Sequence, residues 1–331
     1  MNVVVVGLGW WGQVIGKSVL KSDRFTLAYI VDPNPQDSAR AFAREHALAI
    51  KPDFAAMLED PNVEGVILTS PNALHEPQTI AAFGAGKAVF CEKPLTTTGA
   101  GAERMVAAAE KAGKILGLGH ERRYEPAYEA LFKVIAEGGI GRLLTLEANV
   151  SHNQFQQLDK SNWRKDPKSM PAGLYTGTGI HQTDIFCAIA GRPVEVRAET
   201  ATYVFDKPME DYVCARITFE SGVRGMFSAL SCSPFYGRFT AYGDAGWIEI
   251  VSEANVDWGR PEHLIHSTAP GKREHRVFGP DDAVIKNLVA WADANAGLGS
   301  YRFTRDHLID NTRIFEAIVS SSQQNGTPIK L

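Results

Sequence analysis

The chain has 331 residues, 44% of them hydrophobic and 22% charged, with a formal charge of -4. That length exceeds one ordinary core and fits two domains, and the composition belongs to a globular protein rather than a disordered or fibrous one. The scattered basic residues leave no electrostatic footprint for nucleic acid or an anionic membrane, and no apolar run approaches the roughly 20 residues of a membrane span. The chain opens directly on a strand-like run with no basic leader, so a cytoplasmic protein is expected.

Val3 to Val6 form a β-branched run bounded by glycine, which reads as a strand buried on both faces. It breaks into Gly7-Leu8-Gly9-Trp10-Trp11-Gly12, and Gly16, Val19 and Leu20 continue at helical spacing. In this strand-turn-helix pattern Gly7 permits the turn, Gly9 lets a pyrophosphate approach the backbone, and Gly12 lets the helix lie close on the strand. A second run, Phe25 to Val31, ends at Asp32, twenty residues after Gly12, where a carboxylate can accept hydrogen bonds from an adenosine ribose. Asp32 would repel a 2′-phosphate, and Pro33-Asn34-Pro35 supply no cation; Arg40 is the nearest one. NAD(H) is therefore favoured over NADP(H).

Strand and helix patterns then alternate to about residue 122, which predicts βαβ units and a parallel sheet. A helix is expected through Ala39, Phe42 and Ala43, and another capped by Asp53. A strand over Gly65 to Thr69 ends in Ser70-Pro71-Asn72, with a helix expected to begin at Pro77. Val89 to Cys91 lead into Glu92-Lys93-Pro94. Thr98 is placed to cap an alanine-rich helix ending at Gly113, and Lys114 to Gly119 lead into His120-Glu121-Arg122-Arg123-Tyr124. Polar motifs thus recur after strands, at the edge where open α/β sheets bind ligands. A lysine at such a strand end suits proton exchange with a substrate hydroxyl or carbonyl; on local sequence alone it could equally be a surface lysine before a turn.

Beyond residue 123 a helix over about 126 to 137 is followed by strand-like runs at Leu143 to Val150, Val194 to Phe205, Tyr212 to Phe219, Val223 to Leu230, Phe239 to Tyr242 and Trp247 to Val251. Few helices between strands imply an antiparallel sheet, and the alternation in Tyr212 to Phe219 leaves one mixed face, through which a homodimer or homotetramer is expected. Gly173 to Gly179 lead into an apolar helix that puts His181 and Asp184 on one face, an imidazole suited to general-base work beside a carboxylate; on local sequence alone it could also be a capped helix with one buried histidine. Asp306 to Ser320 should form a core helix. Domain boundaries of 1–122 and 123–331 follow. Cys91, Cys187, Cys214 and Cys232 lie far apart in apolar contexts and read as buried reduced thiols; His263 and His266 lack a third ligand nearby, so no metal is expected.

Taken together, the glycine turn, Ser70-Pro71-Asn72 with His75, Glu92-Lys93-Pro94, the Gly119 to Pro126 segment and Gly179-x-His181-x-x-Asp184 resemble the glucose-fructose oxidoreductase and inositol dehydrogenase (Gfo/Idh/MocA) family. The resemblance implies an α/β fold: a Rossmann domain followed by an α/β domain with a large, mostly antiparallel open sheet. It also implies NAD(P)-dependent redox chemistry on sugars, cyclitols and related small molecules, while the departure at Gly177 leaves a less hydroxylated, cyclic or carboxylated substrate equally open. Lys93, preceding a cis-proline bond, and His181 match the family's catalytic pair. Gly7, Gly9, Trp10, Trp11, Gly12, Asp32, Ser70, Asn72, His75, Glu92 and Lys93 would face the cofactor, and His120, Arg122, Trp163, Asp184 and Tyr236 the substrate. Where polyol-oxidising members commonly carry an aspartate, this chain has Gly177. A redox-cycling glycosidase or lyase with NAD bound, or a non-catalytic dinucleotide sensor, would use the same scaffold.

Overall fold

The computed structural model describes residues 1–158, 162–206 and 209–331. The chain divides into two compact units, Met1–Glu121 with Asp282–Ile309, and Arg122–Asp281 with Asp310–Leu331. In chain order the first unit begins β1 (Asn2–Val6), α1 (Trp10–Leu20), β2 (Thr26–Val31), α2 (Asp37–Glu45), β3 (Ile50–Lys51), α3 (Phe54–Glu59), β4 (Gly65–Leu68), α4 (Asn72–Gly84), β5 (Ala88–Cys91), α5 (Gly99–Ala112) and β6 (Leu116–Leu118). The second contributes α6 (Pro126–Ala136), β7 (Leu143–Ser151), α7 (Ile180–Ala190), β8 (Pro193–Ala201), β9 (Tyr212–Phe219), β10 (Arg224–Leu230), β11 (Tyr236–Gly243), β12 (Trp247–Ser252), β13 (Glu262–Ala269) and β14 (Lys272–Phe278). Then come α8 (Ala283–Asn295), α9 (Arg305–Gln323) and β15 (Ile329–Lys330).

The first unit is a six-stranded parallel sheet in the order β3-β2-β1-β4-β5-β6. Val3 to Val6 are buried, as an interior strand covered on both faces requires. Ile15 and Val19 of α1 pack with Val3, Val5 and Phe90 in one apolar cluster, while Leu8, Ile30 and Phe42 form another. Asp53 caps α3 by accepting from the Ala55 and Ala56 amides at 2.8 and 3.1 Å, and Thr98 caps α5 by accepting from the Gly101 amide at 3.1 Å. Gly113 ends α5 in the left-handed region at φ 62°.

Two expectations change here, and one short strand goes beyond them. The helix expected from Pro77 begins five residues earlier, at Asn72, with Pro77 inside it. β3, two residues long, carries too little pattern to be read from sequence. The division at 122 also misses that 282–309 belongs to the first unit. Asp282 caps α8, its carboxylate accepting from the Ile285 amide at 3.0 Å and from the Ser18 hydroxyl. Trp291 is fully buried in an edge-on contact with Phe90 and donates to the Ile115 carbonyl at 3.0 Å. It fits because Gly117 has no side chain: a Cβ there would stand 2.7 Å from the indole.

The second unit is built on a nine-stranded sheet, β14-β13-β12-β11-β7-β10-β9-β8-β15, antiparallel except where β10 runs parallel to β7. Val213, Ala215, Ile217 and Phe219 of β9 are buried, while Tyr212, Cys214, Arg216 and Thr218 are not, the alternation expected of a sheet packed on one face. The buried face joins one core with Ile185 and Phe186 of α7 and with Ile314, Phe315 and Ile318 of α9. Lys272–Phe278 forms the exposed edge strand β14, paired with β13. Cys91 and Cys187 are buried, whereas Cys214 and Cys232 are only half-buried.

Candidate active site

In the first unit the strand order reverses direction between β1 and β4, the switch point where an open α/β sheet binds its ligand. The glycine turn follows β1, and its geometry suits a dinucleotide. Gly7 has φ +89°, and a Cβ on Gly12 would fall 2.3 Å from the Gly7 carbonyl oxygen, so neither position takes a side chain without a shift. A Cβ on Gly9 would meet nothing within 4 Å. The N-terminus of α1 carries no side-chain cap and no acid in its first turn, which leaves its amides and dipole to an anion. The Asp32 carboxylate accepts from the Leu8 amide at 2.8 Å and from the Asn34 amide at 2.9 Å, tying the end of β2 to the glycine turn. Trp10 is 55% exposed, with its ring 5.5 Å from that of Trp11.

Three more of the expected motifs lie along the same edge. After β4, Ser70 precedes α4, where Asn72 is the first residue and His75 is buried. The His75 ring sits 2.7 Å from the Pro94 carbonyl through Nδ1 and 2.9 Å from the Ser70 carbonyl through Nε2. After β5 come Glu92, Lys93 and Pro94, the last two joined by the cis peptide bond that the family resemblance implies. Lys93 is half-buried, and its amide donates to the Glu92 carboxylate at 3.2 Å. Glu92 is buried with its carboxyl packed on Gly119, where a Cβ would fall 2.3 Å from Oε1. Burial and, after it, the charge of Glu121 push the Glu92 carboxyl well above the usual carboxylate range. After β6, His120 is buried with its ring stacked on Phe303 at 6.3 Å.

In the second unit a π-helical turn, Tyr175–Gly179, runs directly into α7. Such turns are rare, and they gather at functional sites. His181 is buried near the start of α7. Asp184 is fully buried and takes a two-pronged contact from Arg123, at 2.7 Å from Nε and 2.6 Å from the second guanidinium nitrogen. Asp184, expected to face the substrate, has both carboxylate oxygens accepting from the Arg123 guanidinium. Arg122 is buried as well, donating to the Asn255 side-chain oxygen at 3.3 Å with Glu125 at 3.4 Å. At Gly177 a Cβ would meet the Phe155 ring at 2.8 Å and the Met170 methyl at 3.2 Å, so those two side chains fill the room a larger residue would need. Thr176 donates to the Pro171 carbonyl, and the Thr178 hydroxyl lies 3.2 Å from Nε2 of His152. The His152 ring is in turn set edge-on to Phe155. Tyr236 begins β11 and is 45% exposed. Trp163 lies in a one-turn helix, its side chain outside the described ones.

Residues 1–120 match the model of the oxidoreductase family with an NAD-binding Rossmann fold, and residues 128–249 match the GFO/IDH/MocA C-terminal domain. The chain is 35% identical over 173 residues to 1,5-anhydro-D-fructose reductase of Ensifer adhaerens, covering 52% of this chain and 51% of that one. It is 30% identical over 197 residues to inositol 2-dehydrogenase 2 of Saccharopolyspora erythraea, covering 59% and 55%. The matched region thus spans about half the length of these curated relatives. A levoglucosan dehydrogenase solved with NADH superposes with a TM-score of 0.85 at 22% identity, covering 100% of this chain and 98% of that one, which shows a shared fold. With both of its domain models matched in order along the sequence, the chain belongs to the GFO/IDH/MocA oxidoreductase family.

Proposed function

We propose that the protein is an NAD(H)-dependent oxidoreductase acting on a hydroxyl or carbonyl carbon of a small ring compound, a sugar, an anhydro sugar or a cyclitol. The observation that carries this reading is the single sheet edge at the β1/β4 switch point, where the glycine turn, Asp32 and Lys93 follow β1, β2 and β5. Support for the substrate class comes from the relatives, whose names concern 1,5-anhydro-D-fructose, inositol and levoglucosan.

The α1 N-terminus would hold the pyrophosphate and Asp32 the ribose hydroxyls, with Asp32 disfavouring a 2′-phosphate. A bound nicotinamide supplies the hydride acceptor or donor. In the oxidative direction the Lys93 amine takes the hydroxyl proton as the carbon loses its hydride, and in the reductive direction it returns that proton to the carbonyl oxygen. His181 assists in proton handling. Asp184 acts by holding Arg123, and Arg122, beside it in sequence, is assigned to substrate orientation. The test is a panel of ring polyols, anhydro sugars and their ketones assayed with NAD(H) and NADP(H). Turnover with NAD(H) and a clear preference over NADP(H) supports the reading; a protein that binds neither dinucleotide overturns it.

We also infer that the open face of the nine-stranded sheet seats a second copy of this chain. On that face Met226 is 47% exposed and is paired across strands with Arg216 and Glu147, and Glu147 in turn bonds Arg238 at 3.2 Å. An exposed thioether among such charges suits a self-complementary contact. Sedimentation of the wild type and of Met226→Asp tests it: the variant should dissociate, and a wild-type monomer would overturn it.

A further inference from the structure

His75 was expected to face the cofactor, yet it is buried and spends both ring nitrogens on backbone carbonyls, Pro94 at 2.7 Å and Ser70 at 2.9 Å. Those carbonyls belong to the two loops that follow β4 and β5, and Pro94 is the residue after Lys93. We propose that His75 is a positioning residue for Lys93, tying the loop after β5 to the loop after β4 and so fixing where the lysine amine stands; this rests on the reading of Lys93 as the acid/base group.

The chemistry of the contact is unusual. A carbonyl oxygen only accepts, so each ring nitrogen must donate to satisfy its partner, and a neutral imidazole has one N–H. Only the doubly protonated ring serves both carbonyls. Burial opposes that charge most and the Lys93 ammonium opposes it further, while the two carbonyl contacts favour it, and the balance holds the imidazole below its ordinary pKa. Nearby on the same elements are Glu92, whose carboxyl is raised, and Glu76, which Arg104 engages at 2.7 Å. At neutral pH the ring therefore donates to one carbonyl, and gain of a proton turns the second contact into a hydrogen bond as well. Loosening the clamp should misplace the amine without touching the dinucleotide, and displacements of about 1 Å in a reacting group cost on the order of 100-fold in rate.

The test uses the full chain with His75→Ala and His75→Gln, measuring kcat, KM, the dissociation constant for NADH and the pH dependence of kcat. Lys93→Ala is carried alongside. The expected result is a fall in kcat of about 10- to 100-fold in His75→Ala with NADH affinity held within about twofold, partial recovery in His75→Gln, whose amide can still donate to one carbonyl, and a changed acid limb in both. Should His75→Ala fail to fold, the Gln variant is read by itself: a kcat loss at unchanged NADH affinity upholds the proposal. Wild-type kcat in the Gln variant, or a loss that tracks NADH affinity instead, overturns it while leaving the Lys93 reading intact. Normal turnover in Lys93→Ala would instead overturn that reading, and the proposal with it.

Discussion

The two sheets place their polar groups by opposite rules. In the first unit Val3 to Val6, Gly65 to Leu68 and Ala88 to Cys91 are buried along their whole length, so the only places for chemistry are the loops at the strand ends. In the second, β9 and β10 alternate buried and outward side chains, and polar groups ride on the strands themselves. The charged pair Arg123 and Asp184 is nonetheless fully interior there. The comparison teaches that a parallel sheet concentrates function at one edge, while an open antiparallel sheet spreads charge over a face, here with one buried ion pair bracing its interior.

If Arg123 and Asp184 brace the second unit, removing one partner leaves a buried charge unanswered. Asp184→Asn should cost about 3–5 kcal/mol of stability, read as a lower denaturation midpoint. A variant of unchanged midpoint would return Asp184 to the list of groups available to substrate. The glycine turn makes the reverse claim, that it serves a ligand rather than the fold. Because a Cβ on Gly9 meets nothing, Gly9→Val should keep the thermal midpoint near wild type yet weaken NADH binding by tenfold or more, about 1.4 kcal/mol. Unchanged affinity would remove the phosphate from that turn.

The smallest effect concerns Glu92. Its carboxyl is raised in the folded state, so between the ordinary carboxylate pKa and that raised value the native protein holds a proton the unfolded chain has lost. Stability then falls as pH rises through that window. Glu92→Gln should flatten this slope in denaturation midpoints measured across pH. A slope that persists in the variant would assign it to another group.

Much of this was legible in the sequence because the pattern and the physics share a period. The runs around Val3 to Val6 and Tyr212 to Phe219 announce their strands through burial on two faces or one. Asp53 and Thr98 announce helix starts through the amides they cap. What stayed hidden depends on contacts distant in the chain. Trp291 belongs with the first unit only because glycine at 117 leaves room beside Phe90. Asp184 reads as a free carboxylate until Arg123, 61 residues away, engages it. His75 lies in a familiar-looking segment, but its two carbonyl partners cannot be read from spacing.

The account turns on Lys93 as the group that moves the substrate proton. The most direct measurement is single-turnover kinetics of Lys93→Ala alongside its NADH affinity. Retained affinity with the chemical step slowed by about 100-fold or more is the predicted result. Hydride transfer at the wild-type rate in that variant would contradict it.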